Sequence, residues 1–399
     1  MADIILNGIT WGHSRGLTPL LALAQRYSEL YPGTEIRWKK RTLQEFADYP
    51  IEKLVKDYDL LIIDHPWVGC AAATKSVLPL EQYLSPAYLK DQLQYSVGYS
   101  HLSYEYENSQ WALAIDAATP AASYRADLLQ KNKTALPQTW TDVIDLAKDG
   151  KVAVPAIPID ILMNFYTFCI AHGKEPFQSK SEVIDEVTGT LAIETMKELY
   201  SIVDKKMFSC NPIAVAELMS KTDDYWYCPF AYAYSNYSRK GYAANVLQYA
   251  NVVLFDERRL KTTIGGTGLA VSAFSKYRDI AIDFARMAVS GECQRTLYVQ
   301  HGGQPGHRSA WIDEEANHLT NNFFKEVLPV MENGYVRPRY NGYLHFQDHA
   351  GDPLQQCLLH NGNPATALNE MNKIYRQSAA AQFEINTTLS SVFKKLTLV

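Results

Sequence analysis

The stretch that decides the fold is Asp3-Ile4-Ile5-Leu6-Asn7-Gly8-Ile9-Thr10, continued by Trp11-Gly12-His13-Ser14-Arg15-Gly16 and answered further on by Tyr58-Asp59-Leu60-Leu61-Ile62-Ile63. The first segment alternates apolar and polar residues loosely and predicts a strand, and the second predicts a polar loop. A helix follows, with Thr18 as N-cap, Pro19 at the first helical position, and Leu17, Leu20, Leu21, Ala24, Tyr27 and Tyr31 at helical spacing. Pro32-Gly33 ends it. Thr34 to Arg37 predicts a second strand, Leu43 to Lys56 a helix, and the Tyr58 run a short buried parallel strand. The order is β-α-β-α-β, and in open sheets of this kind ligands sit beyond the carboxyl ends of strands. Two loops qualify: Trp11 to Gly16, and Asp64-His65-Pro66-Trp67.

Outward from this unit, Trp111 to Asp116 is extended and Ala117-Ala118-Thr119-Pro120 is small, as a chain crossing between two lobes requires. Apolar helices are expected at Ile161 to Ala171 and Ala192 to Val203. Tyr225 to Tyr242 then packs six tyrosines and Trp226 into eighteen positions. Gly265-Gly266-Thr267-Gly268-Leu269-Ala270-Val271 predicts a return crossing, before helices at Asp279 to Val299, at Ala365 to Gln377, and a short one after Ile385. The expected lobes are both discontinuous: residues 1–113 with 268–312, and 114–267 with 313–399.

The 399 residues are 47% hydrophobic and 20% charged, which excludes disorder, collagen and coiled coil. A net charge of −5 leaves no basic excess for a phosphate backbone, so nucleic acid is not an expected partner. Tyrosine stands out at 26, with 14 Phe and 7 Trp, a palette that suits polar ligands with apolar faces such as sugars. The six cysteines are scattered and read as reduced thiols. Met1 to Gly8 has neither the basic nor the apolar region of a signal peptide, and no stretch has the length of a membrane span. The expected location is cytoplasmic as the sequence stands, and periplasmic or extracellular if a leader has been removed. No P-loop, Gly-x-Ser-x-Gly or His-Glu-x-x-His occurs, so no cofactor and no metal are expected. His345, Asp348, His349 and Asp352 have metal-ligand types at helical spacing, but Gly351 and Pro353 argue against a continuous helix there.

The loop before the first helix places His13, Ser14 and Arg15 where free amides and the helix dipole favour oxygen-rich ligands. Asp64, His65 and Trp67 bring a carboxylate, an imidazole and an indole together within four residues. Asp116 suits paired hydroxyls, because hydrogen bonds to a carboxylate are charge-assisted. Trp226, Tyr232 and Tyr234 would form a stacking wall, and Gly265 and Gly266 would allow close backbone approach at a cleft. Each reading has an ordinary counterpart: a solvated loop, a satisfied core histidine, a structural cap, a packed ring.

In order, Trp11 after the opening strand, Tyr31-Pro32-Gly33, the Asp59 to Asp64 strand, Leu78-Pro79-Leu80, Trp111-Ala112-Leu113 with Asp116, Tyr124-Arg125-Ala126-Asp127-Leu128-Leu129, Pro137-Gln138-Thr139-Trp140, Gly265-Gly266, the helix ending in Gln294, and Gly302-Gly303-Gln304-Pro305 resemble the extracellular (family 1) solute-binding proteins of sugar ABC transporters. The resemblance covers nearly the whole chain. It implies a type II periplasmic-binding-protein-like α/β fold, two lobes joined by crossing strands around a cleft that closes by hinge motion on a small-molecule ligand, most often a carbohydrate. It also implies a permease partner if the chain is exported. By position it favours Trp11, His13, Arg15, Asp64, His65 and Trp67 on one lobe, Asp116 at the hinge, Trp226 and Tyr232 on the other, Gly265 and Gly266 at the return crossing, and Gln304, His307 and Arg308 at a further turn. The alternative is a cytoplasmic lyase, isomerase or hydrolase of a sugar-like or carboxylated metabolite on the same fold. In it His65 or His13 would act as acid or base, Asp116 as its partner, and Arg15 or Arg308 as charge stabiliser.

Overall fold

A computed structural model describes residues 4–42 and 51–379. Along the chain its principal elements are β1 (Ile4–Trp11), α1 (Ser14–Leu30), β2 (Thr34–Arg41), β3 (Leu60–Ile63), β4 (Leu113–Ala118), β5 (Pro120–Tyr124), α2 (Pro158–Ala171), α3 (Glu186–Tyr200), α4 (Pro212–Lys221), β6 (Tyr227–Tyr232), β7 (Gln248–Ala250), β8 (Gly265–Val271), α5 (Arg278–Val289) and α6 (Tyr343–Leu359). One sheet has the order β2-β1-β3-β8-β4, parallel among β1, β2 and β3 and antiparallel where β8 meets β3 and β4. Its strands β3, β8 and β4 are buried on both faces, while the edge strand β2 leaves Arg37, Lys39 and Lys40 exposed, and alternate side chains point to opposite faces. Leu6, Leu60 and Ile62 enter the main core, while Ile9, Leu61 and Ile63 enter a second core with Trp67, Trp111 and Ala270. A second, three-stranded sheet has the order β6-β5-β7, all antiparallel.

The chain leaves the first sheet at Ala118 and enters the second at Pro120. The turn at Thr119 is tied to the returning chain: its hydroxyl lies 2.8 Å from that of Thr262, which donates to the Pro120 carbonyl at 2.8 Å. A third strand-like segment runs alongside, where the Ala117 N–H donates to the Gln304 carbonyl at 3.0 Å. Gly266 has φ of +99°, and a Cβ there would run into the Asp116 carbonyl, so the return crossing lies closer to the outgoing one than any side chain allows.

Several expectations shift. The helix after β1 starts at Ser14, not Thr18, because the His13 side chain accepts the Arg15 N–H at 3.0 Å and caps it; Pro19 lies inside the helix. Arg15 is therefore a first-turn helical residue rather than part of a loop. The helix expected over Asp279 to Val299 ends at Val289, where Ser290 turns and caps a new segment. Tyr343–Leu359 is one continuous helix through Gly351 and Pro353. Gly351 is what lets it dock, since a Cβ at that position would strike the Pro158 carbonyl at the start of α2. Of the Leu43 to Lys56 helix, only Ile51–Leu54 lies within the described helical residues, and the helix expected after Ile385 lies outside the described residues. No disulfide joins the described cysteines.

Candidate functional site

A cavity of about 310 Å³ opens between the two sheets. The carboxyl ends of the first sheet supply Trp11, Asp64 and Trp67, and α1 supplies Arg15. The second sheet and its continuation supply Tyr232 and Tyr234, and the return crossing supplies Gly265 and Gly266. These eight are the sequence candidates that meet at the cavity wall. Trp11 and Trp67 are almost wholly buried because each also serves a core, so only part of each indole remains for a ligand. The Tyr232 hydroxyl is 2.9 Å from the Thr263 hydroxyl, and its ring lies where a Cβ on Gly265 would be.

Both arginines at the wall are already neutralised. Arg15 grips Asp116 with two bonds, Nε to Oδ2 at 2.8 Å and Nη2 to Oδ1, and its Nη1 reaches the Ala233 carbonyl at 3.1 Å across the cleft. Its guanidinium also lies over the Trp11 and Tyr234 rings, at 5.6 and 4.8 Å. Burial works against the Arg15 charge, but Asp116 outweighs it and raises the guanidinium. Arg337, in a segment that carried no sequence signal, donates from Nη2 to both oxygens of Asp64 at 2.7 and 2.8 Å, and from Nη1 to Gln347 at 2.7 Å. Burial alone would raise the Asp64 carboxyl; Arg337 and the His65 N–H hold it well below the usual carboxylate range.

The remaining candidates stand outside the cavity, each for a visible reason. Asp116 has both oxygens taken by Arg15. His13 caps α1, stacks on Trp11 and lies 3.3 Å from the Tyr242 hydroxyl; burial and then Arg15 lower its pKa to about 4. His65 is fully buried beneath the wall, and burial followed by Arg337 lowers it to about 4 as well. Trp226 sits at the far end of β6, its indole N–H on the Asp223 carbonyl and its ring under Lys151. Gln304 ties the Ser235 N–H to the Ala117 carbonyl. His307 stacks on Tyr95 and caps a short helix, and Arg308 pairs with Glu332. The acid-base set of the enzyme alternative, His65 or His13 with Asp116, therefore does not reach the cavity. Nor do His345, Asp348, His349 and Asp352, on one helix as they are, make a metal-holding group among the described residues.

The cavity has a further wall that sequence reasoning missed. The starts of α2 and α4 face it with Ile157, Ile159, Asp160, Met163, Asn211 and Pro212, and α6 adds Leu344 and Gln347. Proline in the first turn of both helices is a start signal, legible as Ile157-Pro158-Ile159-Asp160 and Asn211-Pro212. An acid in the middle of such an apolar run is the sign that was available. Asp160 is only 5% exposed, its Oδ2 has no hydrogen-bond partner among the described residues, and burial pushes it up to about 8.

Residues 51–311 match the model of the family described as bacterial extracellular solute-binding protein. Among solved structures, the maltose-bound T. maritima MalE3 is 16% identical, with 94% of this chain and 99% of that one covered and a TM-score of 0.78. An ABC transporter solute-binding protein from Agrobacterium radiobacter, in complex with ribitol, is 17% identical, with 94% and 98% covered and a TM-score of 0.80. One from Thermotoga lettingae, bound with α-D-tagatose, is 15% identical, with 94% and 99% covered and a TM-score of 0.76. At these identities the likeness is one of fold. No described helix is long and apolar enough to cross a membrane.

Proposed function

Because the chain belongs to the bacterial extracellular solute-binding proteins, we propose that its solute is a carbohydrate or polyol, held between the lobes and delivered outside the cytoplasm to the permease of an ABC transporter. The observation that carries this is the cavity itself. At about 310 Å³ it lies near the small end of ligand sites, roughly 300–1,000 Å³, which suits a mono- or disaccharide better than a long oligosaccharide. Aromatic rings from both sheets give it apolar faces for the C–H side of a sugar, and carboxylate, amide and hydroxyl groups give it partners for the other side. The ligands of the maltose, ribitol and tagatose complexes support the same class. In this reading the lobes are the two discontinuous units expected from the sequence, and they open about the crossing near Thr119 and Thr262.

Time-resolved proton NMR of the protein with maltose, ribitol, D-tagatose, glucose and a wider panel of glycosides tests it. A ligand whose signals broaden and then stay unchanged for hours is the expected result. Signals that decay while new ones grow would revive the enzyme alternative, and a panel without any broadening would remove the carbohydrate assignment.

A further inference from the structure

The charges around the cavity are unequal in number, and this inference rests on the carbohydrate reading while naming what the site selects. Arg15 is matched by Asp116 and Arg337 by Asp64, each pair within the protein. Each guanidinium charge is matched by a carboxylate of the protein, and of the two only the Arg337 Nε keeps a donor without a hydrogen-bond partner among the described residues. Asp160 is the third carboxylate and has no cation of its own among the described residues. Its side chain lies at the cavity wall from the first turn of α2, more than nine-tenths buried, with Oδ2 meeting no donor.

The titratable groups that influence or face it are Tyr200 from α3, Cys228 and Tyr232 from β6, and Tyr234 just beyond, all kept protonated by burial, with the Arg337–Asp64 and Arg15–Asp116 pairs in the same wall and no titratable group at the cavity from α6. A buried acceptor without a donor is costly, and a native cavity keeps one where something that enters donates to it. A hydroxyl can hydrogen-bond the protonated carboxyl but supplies no charge that would favour its ionised form in a low dielectric. A protonated amine donates and compensates at once.

We propose that Asp160 sets the specificity of the site for an amino-substituted carbohydrate or polyol, whose ammonium donates to the Asp160 carboxylate, and that the site rejects acidic sugars. In the empty protein the Asp160 carboxyl carries its proton near neutral pH. The entering ammonium keeps its own proton, and the Asp160 proton leaves to solvent as the ion pair forms. A uronate brings an anion to a wall whose two cations are already matched by the protein's own carboxylates.

Isothermal titration at pH 7 with D-glucosamine, D-glucose and D-glucuronate, repeated with the galacto series, reads this directly on the wild type and on Asp160→Asn. The amine is expected to bind at least tenfold tighter than the neutral parent and the uronate weaker than both. Titrations in buffers of different ionisation enthalpy should show net proton release for the amine alone. Asp160→Asn should bring amine and neutral parent to within about twofold, with its fold checked by circular dichroism. Neutral parents that bind as tightly as the amines, or a preference that survives in Asp160→Asn, would overturn the proposal and leave carbohydrate capture standing. Binding of none of these sugars, nor of maltose, ribitol or D-tagatose, would overturn both.

Discussion

Two carboxylates a short distance from the same cavity meet opposite fates. Asp116 lies on the crossing strand, buried, with both oxygens held by Arg15 and its strand closed against Gly266 and Pro305. Asp160 lies in the first turn of a helix, as deeply buried, with an oxygen that meets no donor among the described residues. Position at the hinge marks Asp116 as the ligand-binding acid, yet the residue best placed to bind it, Arg15, is itself one of the marked residues. Conspicuous polar groups at a domain crossing tend to satisfy one another; the acid left over for a ligand is the one whose neighbours are apolar.

The sharpest way to break this comparison is to cut the satisfied pair. Arg15→Met leaves Asp116 buried without a counter-charge, and such a loss typically costs about 3–5 kcal/mol. Urea unfolding should show that loss, and Arg15→Met with Asp116→Leu together should recover most of it, since removing both charges restores balance. A single-variant cost below about 1 kcal/mol would mean that the Arg15–Asp116 pair is not what holds the crossing.

Asp160 should behave the other way round, and pH reveals it. An ordinary aspartate carboxyl titrates near 3.8, and Asp160 in the folded protein near 8. Below pH 4 both states keep the proton and the residue is neutral in effect. Between about 4 and 8 the folded state holds a proton that the unfolded chain has lost, so the stability of the wild type falls as pH rises through that window. Asp160→Asn, close in shape to the protonated acid, should match the wild type near pH 4 and exceed it increasingly up to pH 8, by an amount of the order of a few kcal/mol. The first-turn position on α2 works against the shift, because a helix N-terminus favours the carboxylate. Thermal unfolding at several pH values measures the difference; equal stability at pH 4 and pH 8 would show that Asp160 has a donor after all.

How much of this was legible follows from what periodicity can and cannot carry. The strands Ile4–Trp11 and Leu60–Ile63 and the crossing Gly265–Val271 are visible in sequence because each is a local pattern with a burial requirement. The ordered motifs point to Trp11, Arg15, Asp64, Trp67, Tyr232, Gly265 and Gly266, and the aromatic segment to Tyr234; these eight line one cavity. Pairing is not local: Arg15 with Asp116 and Arg337 with Asp64 span long sequence separations, so the chain read linearly shows three candidate binding groups, Arg15, Asp64 and Asp116, where the fold makes two neutral pairs with Arg337 as the unsignalled fourth member. Arg337 and Gln347 come from a region without any motif and reach the cavity because α6 docks on α2 at Gly351. The continuity of α6 is obscured in the sequence by Gly351 and Pro353, which suggest a break on propensity grounds that close packing overrides.

Aromatic residues give the comparison its mildest test. Tyr232 and Trp226 come from the same tyrosine-rich segment and from the two ends of one strand, yet only Tyr232 reaches the cavity, while Trp226 is bound to Asp223 and lies beneath Lys151 at the outer end. The strand's length alone separates them, since residues six apart on an extended chain lie roughly 20 Å apart. Tyr232→Ala should weaken the best-bound sugar of the NMR panel about tenfold, close to 1.4 kcal/mol, and Trp226→Ala should leave that affinity within about twofold. Titration calorimetry of both variants decides it: an equal loss in the two would mean that the ligand is held along the whole of β6, and that the cavity between the sheets is not the binding site.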